Sequence, residues 1–313
     1  MADNTKFRNP WLVAVWPGMG QVALTAGYYL MTKLGMEELA ELPTHAAFDI
    51  ESVDVQHGIV QPPRATRSRF FGWHNPDESG PDLILFVGDA QPAINKMEFC
   101  HRLLGFAKRW GIQRIVTFAA MVTQTTPDAD LRLWGAATDT TLLQELKQQH
   151  VAALEGGQIG GLNGLVLGAG VDKQIPGICL LGELPQMFIQ IAYPKSSLPI
   201  LEAFEKLTGV PLKLHELRKQ VDDFDEHLRS ILAQNEEAQN EETQSDETAN
   251  ESTDDLENDA PRLSPSDEIR IEELFEKAQR DRAQAYELKR ELDRLNVFSD
   301  YENRFLDLFK RDV

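Results

Sequence analysis

The chain has 313 residues, and its 42% hydrophobic content can fill a sizeable core without disulfides or a structural metal. The formal net charge is −19 and no basic stripe occurs, so we expect no nucleic-acid partner. The two cysteines, Cys100 and Cys179, lie far apart and form no CxxC pair. This spacing argues against a zinc finger and favours a reducing, cytoplasmic compartment.

The first apolar run is WLVAVW, from Trp11 to Trp16. No charged residue occurs between Arg8 and Lys33, as in an export signal. A proline and two glycines interrupt the run directly after Trp16, however, and an export signal or a membrane span continues unbroken for longer. A buried strand followed by a glycine turn and a helix explains these residues better, so we expect neither export nor a membrane.

Short continuous apolar runs then alternate with helical patterns, which indicates a largely parallel sheet covered on both faces. The predicted strands are Trp11–Trp16, Asp82–Gly88, Arg114–Met121 and Gly177–Glu183. The predicted helices are Ala23–Leu34, Ile94–Trp110, Leu198–Leu207 and Leu214–Leu232. Residues 1–235 should therefore form one α/β domain, a three-layer α/β/α sandwich with a mostly parallel sheet.

The turn after the first strand fits the dinucleotide fingerprint G-x-G-x-x-A through Gly18, Gly20 and Ala23. In that fingerprint an acidic residue should end the next strand about 20 residues on. Glu37, Glu38 and Glu41 fall instead in a predicted helix end or loop. We therefore favour the simpler interpretation that a tight strand-to-helix turn requires glycine.

Polar residues follow several predicted strands at their carboxyl ends, which is where α/β proteins place ligands. The predicted pocket consists of Gly18, Gly20, Gln21, Gly88, Asp89, Thr123 and Thr125. No acid, base or nucleophile stands out among them, so the catalytic residues remain unknown. The seven histidines show no metal-ligand spacing, and we expect neither a metal nor a cofactor.

Glycines are dense from Gly156 to Gly170. They would allow a ligand or another subunit to approach the backbone closely. The alternative, which we favour, is a helix that packs tightly on the sheet.

Residues 236–261 carry 11 acidic side chains and no basic one. Leu256 is the only large apolar residue of this tract, which should stay disordered as a linker. A helical tail is expected over residues 262–313, starting at a Ser264 cap with Pro265 in the first turn. Its apolar positions predict a weak coiled-coil seam, formed by Ile271, Leu274, Ala278, Asp281, Ala285, Leu288, Leu292 and Leu295. This seam could contact another copy or a protein partner, or fold back onto its own domain, and the flexible linker permits both.

Several segments, in this order along the chain, resemble the proteasome assembly chaperone 2 family, in particular its bacterial-type members. The segments are Trp16–Leu34, Val87–Pro92, Thr117–Pro127, Leu133–Asp139, Ile159–Leu167, Leu180–Met187, Tyr193–Leu212 and Asp300–Phe309. The resemblance implies a phosphorylase-like sandwich that forms homo-oligomers, and some members assemble proteasome subunits. It supplies no catalytic residue. The chain ends Arg311-Asp312-Val313, without the hydrophobic-tyrosine-any tripeptide by which archaeal members dock on proteasomes.

Three functional hypotheses follow. The favoured one is an oligomeric protein-binding scaffold or assembly chaperone without evident catalytic machinery. The second is a small-molecule or nucleotide-binding enzyme that uses the strand-end pocket. The third is a purely structural, self-assembling protein.

Overall fold

A computed structural model describes residues 6–43, 48, 53, 55–56, 58–62, 66–77, 80–242, 263–295 and 297–310. The strands are β1 (Trp11–Val15), β2 (Glu37–Glu41), β3 (Val55–Gln56), β4 (Ile59–Val60), β5 (Ser68–Trp73), β6 (Leu83–Gly88), β7 (Arg114–Thr123), β8 (Leu133–Ala137), β9 (Ala152–Ala153) and β10 (Gly177–Pro185). The α-helices are α1 (Val22–Leu34), α2 (Lys96–Ala107), α3 (Thr140–Gln148), α4 (Gly161–Asp172), α5 (Pro194–Thr208), α6 (His215–Glu242), α7 (Pro265–Arg280), α8 (Ala285–Arg294) and α9 (Phe298–Asp307). None of the helices in these ranges is both long and apolar enough to cross a bilayer.

Eight strands form one sheet in the order β2-β5-β6-β1-β7-β10-β8-β9. The four central strands, β6, β1, β7 and β10, are parallel to one another. β5 and β2 on one side and β8 on the other are antiparallel to their inner neighbours. The central strands are buried on both faces, which explains their unbroken apolar sequences.

Alternate residues of each central strand belong to two separate cores, because successive side chains of a strand point to opposite faces. Val13 and Val15 of β1 pack with α1, α3, α5, α6 and the C-terminal tail. Leu12 and Ala14 pack with α2 and α4 on the other face. The molecule is therefore a three-layer α/β/α sandwich, as the sequence predicts.

The predicted central elements are confirmed, with shifts of a few residues at their ends. The glycine-rich segment forms α4, a helix packed on the sheet, as favoured. Its Gly170 lies so close to the sheet that a Cβ there would be 2.7 Å from Ile115 Cδ1. The outer strands β2, β5, β8 and β9 were not predicted from the sequence.

α6 continues to Glu242, ten residues beyond the end predicted at Leu232. It therefore extends through residues 236–242 of the tract assigned to the acidic linker. The rest of that tract, residues 243–261, lies outside the described residues.

The tail starts where the sequence predicts: the Ser264 side chain accepts a hydrogen bond of 3.1 Å from the Asp267 backbone N–H. The predicted coiled-coil seam does not run along one continuous helix. α7 ends at Arg280, and Asp281 caps a new turn by accepting from the Ala283 N–H at 3.0 Å. α8 then runs back along α7, as ion pairs of Arg270 with Glu291 and of Arg294 with Asp267 show.

The apolar stripe of the tail is buried against its own domain. Ile271, Leu288 and Leu292 are fully enclosed and belong to the same core as α1 and α5. Of the two arrangements that the sequence leaves open, the structure shows the fold-back in cis.

Candidate functional site

The carboxyl ends of β1, β6, β7 and β10 meet at one edge of the sheet, as parallel strands require. There the β1–α1 turn is joined to the loop between β10 and α5. The Gly20 N–H donates to the Ile189 carbonyl at 2.9 Å, and the Tyr193 N–H donates to the Gly20 carbonyl at 2.9 Å. Gly20 adopts φ of +60°, a left-handed conformation that glycine reaches without strain.

The predicted pocket glycines have different environments. A Cβ on Gly20 would lie 2.8 Å from Leu184 Cδ1, and one on Gly88 would lie 2.6 Å from the Trp16 ring. These two glycines permit close packing and do not line a cavity. Gly18 is exposed, and among the described residues nothing lies within 4 Å of its Cβ position.

A cavity of about 380 Å³ opens between the strand ends and the C-terminal tail. We call it the seam cavity. The domain contributes the walls Pro17, Gln21, Leu24, Thr25, Tyr28, Asp89, Gln190 and Ala192. The tail contributes Lys289, Asp293, Phe298, Ser299 and Glu302. Gln21 and Asp89 were predicted for the pocket, whereas the tail residues were not.

Asp89 follows β6 directly and is held by the residue that precedes β5. Its Oδ2 accepts a hydrogen bond of 2.9 Å from the Arg67 backbone N–H. Its Oδ1 is inaccessible to solvent and has no hydrogen-bond partner among the described residues. Burial, followed by the nearby carboxylate of Glu302, raises the pKa of Asp89 to about 6.

The opposite wall comes from α8 and α9. Glu302 accepts a hydrogen bond from the Tyr28 hydroxyl, and burial raises the pKa of Glu302 above its ordinary value. Lys289 donates to Asp293 at 2.6 Å, and its Nζ lies 3.8 Å from the centre of the Phe298 ring. Lys289 is the only lysine among the described residues that line the cavity, and it is already paired with an acid of the tail.

Thr123 and Thr125 line a different, open depression of about 390 Å³, together with Gln186 and Met187. The Thr123 hydroxyl donates to the buried Glu183 at 2.8 Å. The β10–α5 loop separates this depression from the seam cavity, to which it contributes Gln190. Four of the seven predicted pocket residues thus line two different cavities, two are packing glycines, and Gly18 is exposed outside both cavities.

The chemistry available near the strand ends is limited. Among the described residues, no cluster of three or more His, Cys, Asp or Glu side chains is placed to hold a metal ion. Burial raises the pKa of Cys100 and of Cys179 to about 12, so both remain thiols. The seam cavity instead offers three carboxyl groups, one of them paired with its lysine, and aromatic walls.

Two side chains from the segments that resemble the chaperone family connect loops through hydrogen bonds. Gln91 donates to the Pro17 carbonyl at 3.1 Å and accepts from the Leu162 N–H at 3.1 Å, joining the first turn to α4. Lys195 donates to the Pro127 carbonyl and to Asp225, each at 2.8 Å. These side chains position the loops at the strand ends.

The PAC2 family model matches residues 12–232 of the chain. An uncharacterised protein of Methanocaldococcus jannaschii is 24% identical over 238 residues, which cover 75% of this chain and 88% of that protein. The crystal structure of Pyrococcus furiosus PbaB, an archaeal proteasome activator, is similar with a TM-score of 0.62 and 25% identity, over 74% of this chain and 96% of PbaB. A proteasome-assembly chaperone homologue of Mycobacterium tuberculosis has the same fold, with a TM-score of 0.61 and 19% identity over 72% of this chain and 95% of that structure.

Proposed function

Since the chain belongs to the PAC2 family, we propose that it binds other proteins as an assembly chaperone or scaffold rather than acting as a catalyst. The similar structures of a proteasome activator and of a proteasome-assembly chaperone homologue support this proposal. Proteasome core subunits are therefore the first class of partner to test.

A cluster of exposed apolar side chains at the strand ends carries the proposal. Met19, Met187 and Ile191 are 44%, 58% and 55% exposed, and we call them the apolar rim. The hydrogen bonds between Gly20 and the β10–α5 loop hold the loops of the rim together. Flexible methionines suit a surface that adapts to a protein partner.

The test is binding to purified proteasome core subunits of the source organism. Met187→Glu with Ile191→Glu should abolish binding, because charges would oppose burial of the rim. The matched control is Ile269→Glu, at an apolar residue of α7 that is 62% exposed. Equal binding by the wild type and the rim variant would contradict the use of this surface. Failure of the wild type to bind would contradict the assignment of proteasome subunits as partners.

We also propose that the chain forms homo-oligomers through the outer face of α2 and α4. Ile94, Met97 and Val171 are exposed there beside Gly168, where a partner backbone can approach closely. Light scattering at micromolar concentration should give a multiple of the monomer mass. Val171→Glu should lower this mass, and Gln174→Glu, at an exposed residue nearby, should not. A monomeric wild type would refute this proposal.

We also propose a cytoplasmic location, since both cysteines are free and buried.

The alternative function, an enzyme acting on a small molecule, would use the seam cavity. A ligand screen by thermal shift tests it, because a ligand present at 100 times its Kd stabilises the folded state by about 2.7 kcal/mol. Ligand binding that is lost in the Asp89→Asn variant but kept in the Thr123→Val variant would favour the enzyme hypothesis.

A further inference from the structure

Three carboxyl groups line the seam cavity, and two of them, Asp89 and Glu302, have no ion-pair partner among the described residues. Asp89 belongs to the domain, in the loop after β6, and Glu302 belongs to α9 of the tail. Burial raises the pKa of both Asp89 and Glu302, so each carboxyl group is harder to ionise than in water. The family model ends at residue 232, so Glu302 lies outside the part of the chain that it matches.

Other charged and titratable groups surround this pair from every element packed against it. They are Tyr28 on α1, Arg67 just before β5, Arg69 on β5, and Lys289 and Asp293 on α8. Each cation has a closer anionic partner elsewhere. Arg67 Nη2 lies 2.6 Å from Glu41, Arg69 Nη1 lies 3.1 Å from Asp307, and Lys289 is paired with Asp293.

Asp89 and Glu302 therefore line the same cavity, and neither has an ion pair with a cation among the described residues. The buried Oδ1 of Asp89 has no hydrogen-bond partner in the described part of the chain, so no donor offsets a negative charge on this oxygen. Glu302 receives the Tyr28 hydroxyl, a neutral donor. When α9 undocks, both carboxyl groups return to water and separate, so two negative charges oppose docking and one proton on the pair removes the opposition.

We propose that Asp89 and Glu302 form a pH-sensitive latch: the tail is held firmly when the pair carries a proton and loosens when both carboxyl groups are ionised. Loosening would uncover Arg69, which is fully buried and donates to Asn303 and Asp307, both on α9. It would also uncover Tyr28, whose hydroxyl donates to Glu302. The face beneath α9 would thus become available only in the loosened form.

The direction follows from the folded-state pKa of Asp89, raised from 3.8 to about 6. The docked state binds the proton more tightly than the undocked state, so docking is strongest below pH 4 and weakens as the pH rises to about 6. Each pKa unit corresponds to a tenfold change, so the docking equilibrium should fall by up to about a hundredfold over this interval. Above it, docking should no longer depend on this group.

Hydrogen exchange of the full-length protein, followed by mass spectrometry between pH 4.5 and 7.5, tests the latch. The comparison is the exchange rate of α9 amides in the wild type divided by that in Asp89→Asn at the same pH, which cancels the intrinsic pH dependence of exchange. Asn at position 89 retains an oxygen that can accept from the Arg67 N–H and cannot ionise. The ratio should be lowest at pH 4.5 and at least about tenfold higher at pH 7.5.

Glu302→Gln provides a second, independent variant, because Gln still accepts from Tyr28. Its ratio should follow the same course. A ratio that stays flat with pH for either folded variant would overturn the proposal. A parallel rise in exchange of α2, which packs on the opposite face of the sheet, would show global destabilisation and would overturn it as well.

Discussion

Phe305→Ala in α9 should destabilise the whole domain, because the tail completes its core. Phe305 is fully buried, and its ring lies 5.8 Å from Tyr28, 5.5 Å from Phe298 and 5.7 Å from Phe309, measured between centroids. Truncation of a buried phenylalanine to alanine costs about 3–5 kcal/mol. Against a total stability of about 5–15 kcal/mol, this is a large fraction.

The assay is guanidinium unfolding of the full-length chain, followed by far-UV circular dichroism. The midpoint should fall in a single transition with an unchanged slope, since the slope depends on the surface exposed. Glu287→Ala, at an exposed position of α8, is the matched control and should change the free energy by no more than about 0.5 kcal/mol. A main transition unchanged by Phe305→Ala, together with a lower oligomer mass, would refute the packing of the tail in cis.

Three further predictions concern backbone features of the chain. Gly20→Ala should destabilise the fold by more than about 1 kcal/mol, because residue 20 has a positive φ and its Cβ would contact Leu184. Gly18→Ala is the control and should be tolerated, so equal unfolding midpoints of the two variants would contradict this prediction. Ser264→Ala should cost about 1 kcal/mol by removing the cap of α7, and no change in thermal unfolding would show that the cap contributes nothing. Limited proteolysis should cut first within residues 243–262 and leave the α/β domain intact, so first cuts within 82–183 would exclude an acidic linker there.

The central strands could be predicted because burial on both faces leaves them almost wholly apolar. β2, with the sequence EELAE, gives no such signal because it lies at the edge of the sheet and is largely polar. β9 has only two residues, too few for a sequence pattern. The prediction therefore recovered the interior of the sheet and missed its margins.

The site was predicted only from the domain side. The rule for parallel strands depends on topology alone, and it selects Gln21 and Asp89, two residues that line the seam cavity. Glu302 and Lys289 come from the C-terminal tail, more than 150 residues further along the chain. Local sequence patterns carry no information about where such a tail docks. The same limit applies to Gly20, whose packing against Leu184 depends on contacts that are distant in sequence.

The apolar positions of the tail are buried, as their spacing predicts. The break between α7 and α8 was not predicted. Leu288 and Leu292 are buried as the apolar spacing indicates. The break is visible in the sequence in retrospect, because Asp281 is a residue that favours a helix N-cap and stands where a core position was assigned. If Asp281 is taken as an N-cap and not as a core position, the sequence predicts two helices in place of one.

Site-specific photo-crosslinking in cells of the source organism tests the proposed protein-binding function most directly. A photoreactive amino acid would replace Met187 or Ile191 of the full-length chain, with Ile269 as the control position of similar exposure. We expect covalent adducts with other proteins from both rim positions, absent from the control and lost from the Met187 probe when Ile191 is changed to Glu. Rim positions that give no adduct beyond those of the control would contradict it.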